Sequence, residues 1–155
     1  KDYYIVVAKA SNINGDITQY SSWNTTDISI RTQVNDVATS ANGLYTTAVT
    51  PQLSFTSNAL GSVGSWISAT SNLLSAFNCK QLEINATGQY QVAIFNSTWS
   101  PSIAMSCDFG KTWNPVQPIA NGYSCCAING DGTFIIVAPN SNSGQLQYAT
   151  NYLTW

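Results

Sequence analysis

The heptapeptide Gly88-Gln89-Tyr90-Gln91-Val92-Ala93-Ile94 has three relatives in the same chain. They align with it without gaps as Asp2-Tyr3-Tyr4-Ile5-Val6-Val7-Ala8, Gly43-Leu44-Tyr45-Thr46-Thr47-Ala48-Val49 and Gly132-Thr133-Phe134-Ile135-Ile136-Val137-Ala138. Each copy opens on a turn residue, places an aromatic third and turns β-branched or apolar, which reads as a strand. The aromatic column, Tyr4, Tyr45, Tyr90 and Phe134, advances by 41, 45 and 44 residues. A second column, Trp23, Trp66, Trp113 and Trp155, advances by 43, 47 and 42. Two columns in step mark an internal repeat.

The flanking residues fill in the unit. Eight residues end at each glycine, Asp36 to Gly43, Gln81 to Gly88 and Cys125 to Gly132, and each octapeptide is a short strand running into an Asn/Gly/Asp-rich turn. A third strand is expected at 17–20, 53–56, 102–105 and 145–148, and there is room for a fourth after each Trp, as at Asp27-Ile28-Ser29-Ile30-Arg31. Helix has little claim beyond a single turn at 71–77, which reads better as a loop carrying Leu73 and Leu74. Four-stranded units that bury two faces only against their neighbours are what a β-propeller is built from. The expected fold class is therefore all-β, a β-propeller-like array of four-stranded antiparallel blades with about three and a half repeats. Its units run 1–35, 36–78, 79–122 and 123–155, the first and last incomplete. Three readings follow for that incompleteness: a segment of a longer chain, ends that pair with other subunits, or repeats organised differently.

Composition narrows the function. The 155 residues are 44% hydrophobic and 8% charged, with five Lys+Arg against seven Asp+Glu and no His. A net charge of −2 cannot supply the dense basic surface that phosphate binding needs, so no nucleic-acid partner is expected. Without His, the Ser-His and Cys-His nucleophile pairs are absent. No apolar run approaches the roughly 20 residues that cross a bilayer, and no membrane insertion is expected. Three sequons, at Asn24, Asn85 and Asn96, fall in expected turns and suit a hydroxyl-rich, sparsely charged surface outside the cytosol: extracellular, cell-surface or virion-surface. Cys79, Cys107, Cys125 and Cys126 permit disulfides in an oxidising compartment, with small buried thiols as the alternative.

One motif is sharp. The third unit reads Ser106-Cys107-Asp108-Phe109-Gly110-Lys111-Thr112-Trp113. An Asp carboxylate can accept backbone N–H bonds within a tight turn, Gly permits positive φ, and Trp can pack the hairpin on its blade. The sequence here resembles the Asp-box (BNR) repeat family, a group of sialidase-like propellers that includes sialidases, sortilin-like receptors and xyloglucan-active hydrolases. The resemblance implies a structural role for Ser106, Asp108, Gly110, Thr112 and Trp113, between the third and fourth strands of a blade and away from the ligand face. The other units keep only Ser22-Trp23, Gly64-Ser65-Trp66 and Thr154-Trp155. A sialidase site, as the family implies, needs three Arg, a Tyr-Glu pair and an Asp, whereas this chain has one Arg, Arg31, and one Glu, Glu83.

Three functional classes remain. A glycosidase needs two carboxyl groups across a cleft; Glu83, Asp36 and Asp131 are the candidates, and this reading belongs to a larger parent chain of sialidase-like fold. A recognition propeller would use Trp99, in the loop Asn96-Ser97-Thr98-Trp99-Ser100-Pro101 on the face opposite the box, with Glu83 and Asp131 as further ligand-binding candidates for glycans or proteins. A non-catalytic structural or assembly module would complete itself with neighbouring subunits, or by self-association, through its terminal strands, because unpaired edges invite pairing. The expected function is the last. The turns Asn14-Gly15-Asp16 and Asn129-Gly130-Asp131 offer too few oxygens for calcium, so neither a metal nor a cofactor is expected.

Overall fold

A computed structural model describes residues 5–7, 24–26, 34–49, 54–57, 66–71, 79–95, 102–116, 122–140 and 144–150. All regular structure among them is strand: β1 (Ile5–Val7), β2 (Asn24–Thr26), β3 (Asp36–Thr39), β4 (Thr46–Val49), β5 (Ser54–Ser57), β6 (Trp66–Ser68), β7 (Thr70–Ser71), β8 (Cys79–Ile84), β9 (Gln91–Phe95), β10 (Ile103–Ser106), β11 (Thr112–Val116), β12 (Tyr123–Ile128), β13 (Phe134–Pro139) and β14 (Gln147–Thr150). The sheets follow the repeat. β3-β4-β5-β6 is one antiparallel sheet, β8-β9-β10-β11 a second and β12-β13-β14 a third, while β1 pairs with β2. The fold is all-β and propeller-like, with meandering blades.

The sheets meet face to face. β3 packs on β8, and β12 packs on β8 and β9. Side chains alternate along a strand, and β9 uses both faces. Ala93 and Phe95 join Val49, Leu82, Ala104 and Trp113 in a core against the second blade. Val92 and Ile94 join Ile103, Met105, Tyr123, Cys126, Ile135 and Val137 in another against the fourth. β9 lies between the second and fourth blades and is buried along its whole length, as is β4.

Several expectations shift. The third strands of the later units begin one or two residues downstream, at Ser54, Ile103 and Gln147. The fourth strands of the second and third units begin at Trp66 and at Thr112, so Trp66 and Trp113 belong to their strands, and the Trp113 indole, 1% exposed, seats in the blade. In the first unit β1 pairs directly with β2; the strands expected at 17–20 and 27–31 lie outside the described residues. Ser71, expected to open a helical turn or loop, belongs to β7, which pairs in parallel with β11. That pairing ties the chain leaving one blade to the outer edge of the next and covers an edge that would otherwise be free. Residues 72–78, with Leu73 and Leu74, lie outside the described residues. Among the described residues no helix is long and apolar enough to cross a membrane.

Candidate functional site

The turn from β10 to β11 is organised by two short side chains. The Ser106 hydroxyl donates to Asp108 Oδ1 at 2.8 Å and accepts from Gly110 N–H at 2.9 Å. Asp108 accepts from Thr112 N–H at 2.9 Å and from the Thr112 hydroxyl at 2.7 Å. Gly110 has φ 78° and Phe109 φ 65°, a left-handed pair that only a glycine tolerates readily at its second position. Trp113, 1% exposed, donates its indole N–H to Gly110 O at 3.0 Å, so the turn and the core share one residue. A Cβ on Gly110 would stand 2.8 Å from Gln91 Oε1 and 3.0 Å from Thr47 Oγ1. The turn is thus pressed against the bond that joins two blades, Thr47 hydroxyl to Gln91 Oε1 at 2.8 Å.

Burial alone would raise the Asp108 pKa, but the bonds from Thr112 and Ser106 outweigh it and hold the carboxyl below its ordinary 3.8. A depressed folded pKa means that the stabilisation is present above the unfolded value and lost as pH falls through the folded one. Asp108→Asn is expected to be about 1–2 kcal/mol less stable than the parent at pH 7. Its stability should also fall less steeply below about pH 4, which urea unfolding at a series of pH values would measure.

Beside the inner strands lies a groove of about 560 Å³, lined by Asn35, Asp36, Lys80, Gln81, Glu83 and Ser124 among others. It collects polar groups, of which Asp36, Gln81 and Glu83 are engaged. Asp36 accepts from Val37 N–H at 2.9 Å and, across the blade joint, from Leu82 N–H at 2.7 Å. Glu83 accepts from Gln81 Nε2 at 2.8 Å. Gln81 spans the next joint, accepting from Cys126 N–H and donating to Cys126 O, both at 3.2 Å. Asp36 and Gln81 open successive octapeptides, so one sequence column performs one task, carrying a hydrogen bond to the next inner strand. Their shared polarity in that column was the available signal for this role.

Of the ligand-binding candidates, Glu83 lines the groove and Asp131 does not. Asp131 lies exposed in the β12–β13 turn, where it accepts from Thr133 N–H at 2.9 Å and from the Thr133 hydroxyl at 2.7 Å; the Thr133 bonds lower its pKa. In a meandering blade that turn is at the same end as the Ser106–Trp113 turn, and Glu83 is separate from it in the groove. Trp99 and Asn96 lie outside the described residues. Among the described residues no group of three His, Cys, Asp or Glu could hold a metal.

Two further expectations are corrected. Asn85, read as a glycan acceptor, is 1% exposed and accepts from Tyr90 N–H at 3.0 Å and the Thr87 hydroxyl at 3.2 Å. Its amide imitates the backbone inside the turn, leaving no room for a sugar. Asn24 opens β2. The four cysteines are free rather than bridged. Cys79 and Cys126 lie in different core clusters, while Cys107 and Cys125 are exposed, and Cys125 and Cys126 diverge to opposite faces of β12. Burial, reinforced by the charge of Asp36, pushes the Cys79 thiol up to about 12, and burial with the Glu83 charge pushes Cys126 up as well. Maleimide at pH 7.5 is expected to modify Cys107 and Cys125 at least about tenfold faster than Cys79 and Cys126. Peptide-resolved mass spectrometry would read the four rates, and equal rates would contradict the burial.

Neither a protein-family model nor a curated protein matches the sequence. Solved β-propeller structures do. A TolB-type protein of Agrobacterium tumefaciens superposes over 83% of this chain and 46% of its own, at TM-score 0.59 and 11% identity. The GH74 enzyme of Niastella koreensis covers 88% of this chain and 20% of its own, at TM-score 0.60 and 21% identity. Hydrazine synthase of Kuenenia stuttgartiensis covers 95% and 47%, at TM-score 0.57 and 13% identity. The likeness is one of fold, and this chain spans less than half the length of each.

Proposed function

We propose that the chain is a non-catalytic structural or assembly module built of Asp-box blades, working extracellularly or on a cell or virion surface and joining neighbouring subunits. The observation that carries this reading is where the carboxylates go. Among the described residues Asp36 ties two blades, Asp108 and Asp131 each hold a turn, and Glu83 is held by Gln81. Asp36 and Glu83 line one groove, but each is committed to a hydrogen bond of the frame rather than left free as the acid–base pair that glycoside hydrolysis needs. The Ser106–Trp113 turn has the bonding the Asp-box resemblance implies for a structural element. Glycans on this surface would be carried at Asn24 and Asn96, and Asn85 would stay bare.

Native mass spectrometry of the protein isolated from its source, before and after glycosidase treatment, tests the reading. Assemblies of this chain with itself or with companion subunits, and a mass loss assignable to Asn24 and Asn96, are expected. A strictly monomeric species that hydrolyses or binds a soluble sugar would overturn it. The polar groove favours, as a second reading, recognition of a small polyhydroxylated ligand, which a glycan array would detect.

A further inference from the structure

The joint between the second and third blades is repeated between the third and fourth. Turn tips are linked by Ala41 N–H to Ala86 O at 3.0 Å, then by Ala86 N–H to Gly130 O at 2.9 Å. Aromatic rings lie over glycines: Tyr45 over Gly88, where an added Cβ would stand 2.8 Å from the ring, and Tyr90 over Gly132, where it would stand 2.4 Å away. Side chains at the first position of the octapeptides reach the next inner strand, Asp36 to Leu82 N–H and Gln81 to Cys126 N–H.

On the fourth blade the first two devices are present and unused, and the place of the third is held by an exposed cysteine. Gly130 N–H has no hydrogen-bond partner among the described residues. Phe134, in the ring column, is 39% exposed and among the described residues stacks on Tyr148 alone, itself 63% exposed, at 5.7 Å. Cys125, in the side-chain column, is exposed. The register shows that this face corresponds to a covered one. Tyr148 pairs with Ile136 as Met105 pairs with Val92, yet Met105 is 4% and Val92 0% exposed. Accordingly β13 alternates, with Ile135 and Val137 buried against the third blade and Phe134, Ile136 and Ala138 on the other face.

From these two completed joints and one open one, we infer that the outer face of β12–β14 is a docking surface for a further blade of the same repeat, outside residues 1–155. That blade must carry a glycine at its inner turn to lie beneath Phe134, and a carbonyl there to accept from Gly130 N–H. The N-terminal unit of a second copy does not meet the requirement, because Asp2 occupies the aligned glycine position. The inference rests on the module reading above and specifies its partner.

The test extends the full chain after Trp155 with a copy of residues 67–155 in which Cys125 is serine, so that Trp155 is followed by the stretch that follows Trp66. Alkylation of the original Cys125, followed by peptide mapping, is expected to slow at least about tenfold relative to the unextended chain. A valine at the copy's Gly88 should restore the faster rate. An unchanged rate, with Cys79 and Cys126 still protected, overturns the inference, as does concentration-dependent protection in the unextended chain, which would make a second copy the occupant. Should the extension not fold, the unextended chain decides alone. Phe134→Ser and Tyr148→Ser should melt within about 2 °C of the parent at every concentration, and Met105→Ser many degrees lower. A large loss for the first two would mean that the face is already covered. Sugar hydrolysis by the source material would sink the module reading without altering any of these labelling rates.

Discussion

Trp113→Ala is expected to cost about 3–5 kcal/mol of folding stability, the range for removing a large buried aromatic. At about 2–4 °C per kcal/mol for a chain of this size, the melting temperature should fall by roughly 6–20 °C. Two contributions combine. The indole packs among Val49, Leu82, Ala93, Phe95 and Ala104, so its loss opens a cavity between two blades. Its N–H also satisfies Gly110 O, and removing it leaves the left-handed turn without its anchor. Trp113→Phe separates the two by restoring most of the volume and none of the bond, and should cost about 1–2 kcal/mol beyond the smaller cavity. Urea unfolding followed by far-UV circular dichroism would give both values. If Trp113→Ala melted within a degree or two of the parent, the indole would not be a core residue and the join between the second and third blades would need another account.

The Trp113 result bears on how much a sequence of this kind discloses. The aromatic column was legible because it marks a recurrent contact: at both described joints a ring meets a glycine, Tyr45 over Gly88 and Tyr90 over Gly132, and Phe134 continues the column. The Ser106–Trp113 turn was legible because its bonds are local, confined to residues close in sequence. The roles of Asp36 and Gln81 were not, since a carboxylate and an amide can each accept a backbone N–H and the column tolerates exchange between them. Asn85 misled for a related reason. A sequon records only local residue types, whereas the side chain's burial is decided by Tyr90 and by the blade packed over the turn. Disulfides were suggested by an even cysteine count, but pairing depends on three-dimensional proximity, and Cys79 of the third blade and Cys126 of the fourth join different cores. Of the groove, Asp36 and Glu83 were named from the sequence as candidates, whereas Asn35, Lys80 and Ser124 were not, because their convergence is a property of three inner strands together, with no motif of its own.

Gly132→Val should be the most damaging substitution at a turn. The residue sits at φ 81°, a region costing a Cβ-bearing residue about 1–2 kcal/mol and a β-branched one more. The new Cβ would stand 2.4 Å from Tyr90 Cδ2, closer than carbon atoms can approach, and overpacking of that kind costs a further 1–3 kcal/mol or so. Together they give about 3–5 kcal/mol, enough to unfold a marginal domain. Gly130, two residues away, supplies the control: its added Cβ would meet only Ala86 Cβ at an ordinary 3.8 Å, and its φ is not positive. Gly130→Ala should therefore fold normally and lose no more than about 1 kcal/mol. Pairing Gly132→Ala with Tyr90→Ala in a double-mutant cycle would divide the effect. Removing the ring relieves the steric part and leaves the backbone part, so the double variant should be more stable than the sum of the single losses predicts. Strict additivity would mean that Tyr90 does not rest on Gly132, and the ring-over-glycine joint, with the open copy of it at Phe134, would fall together.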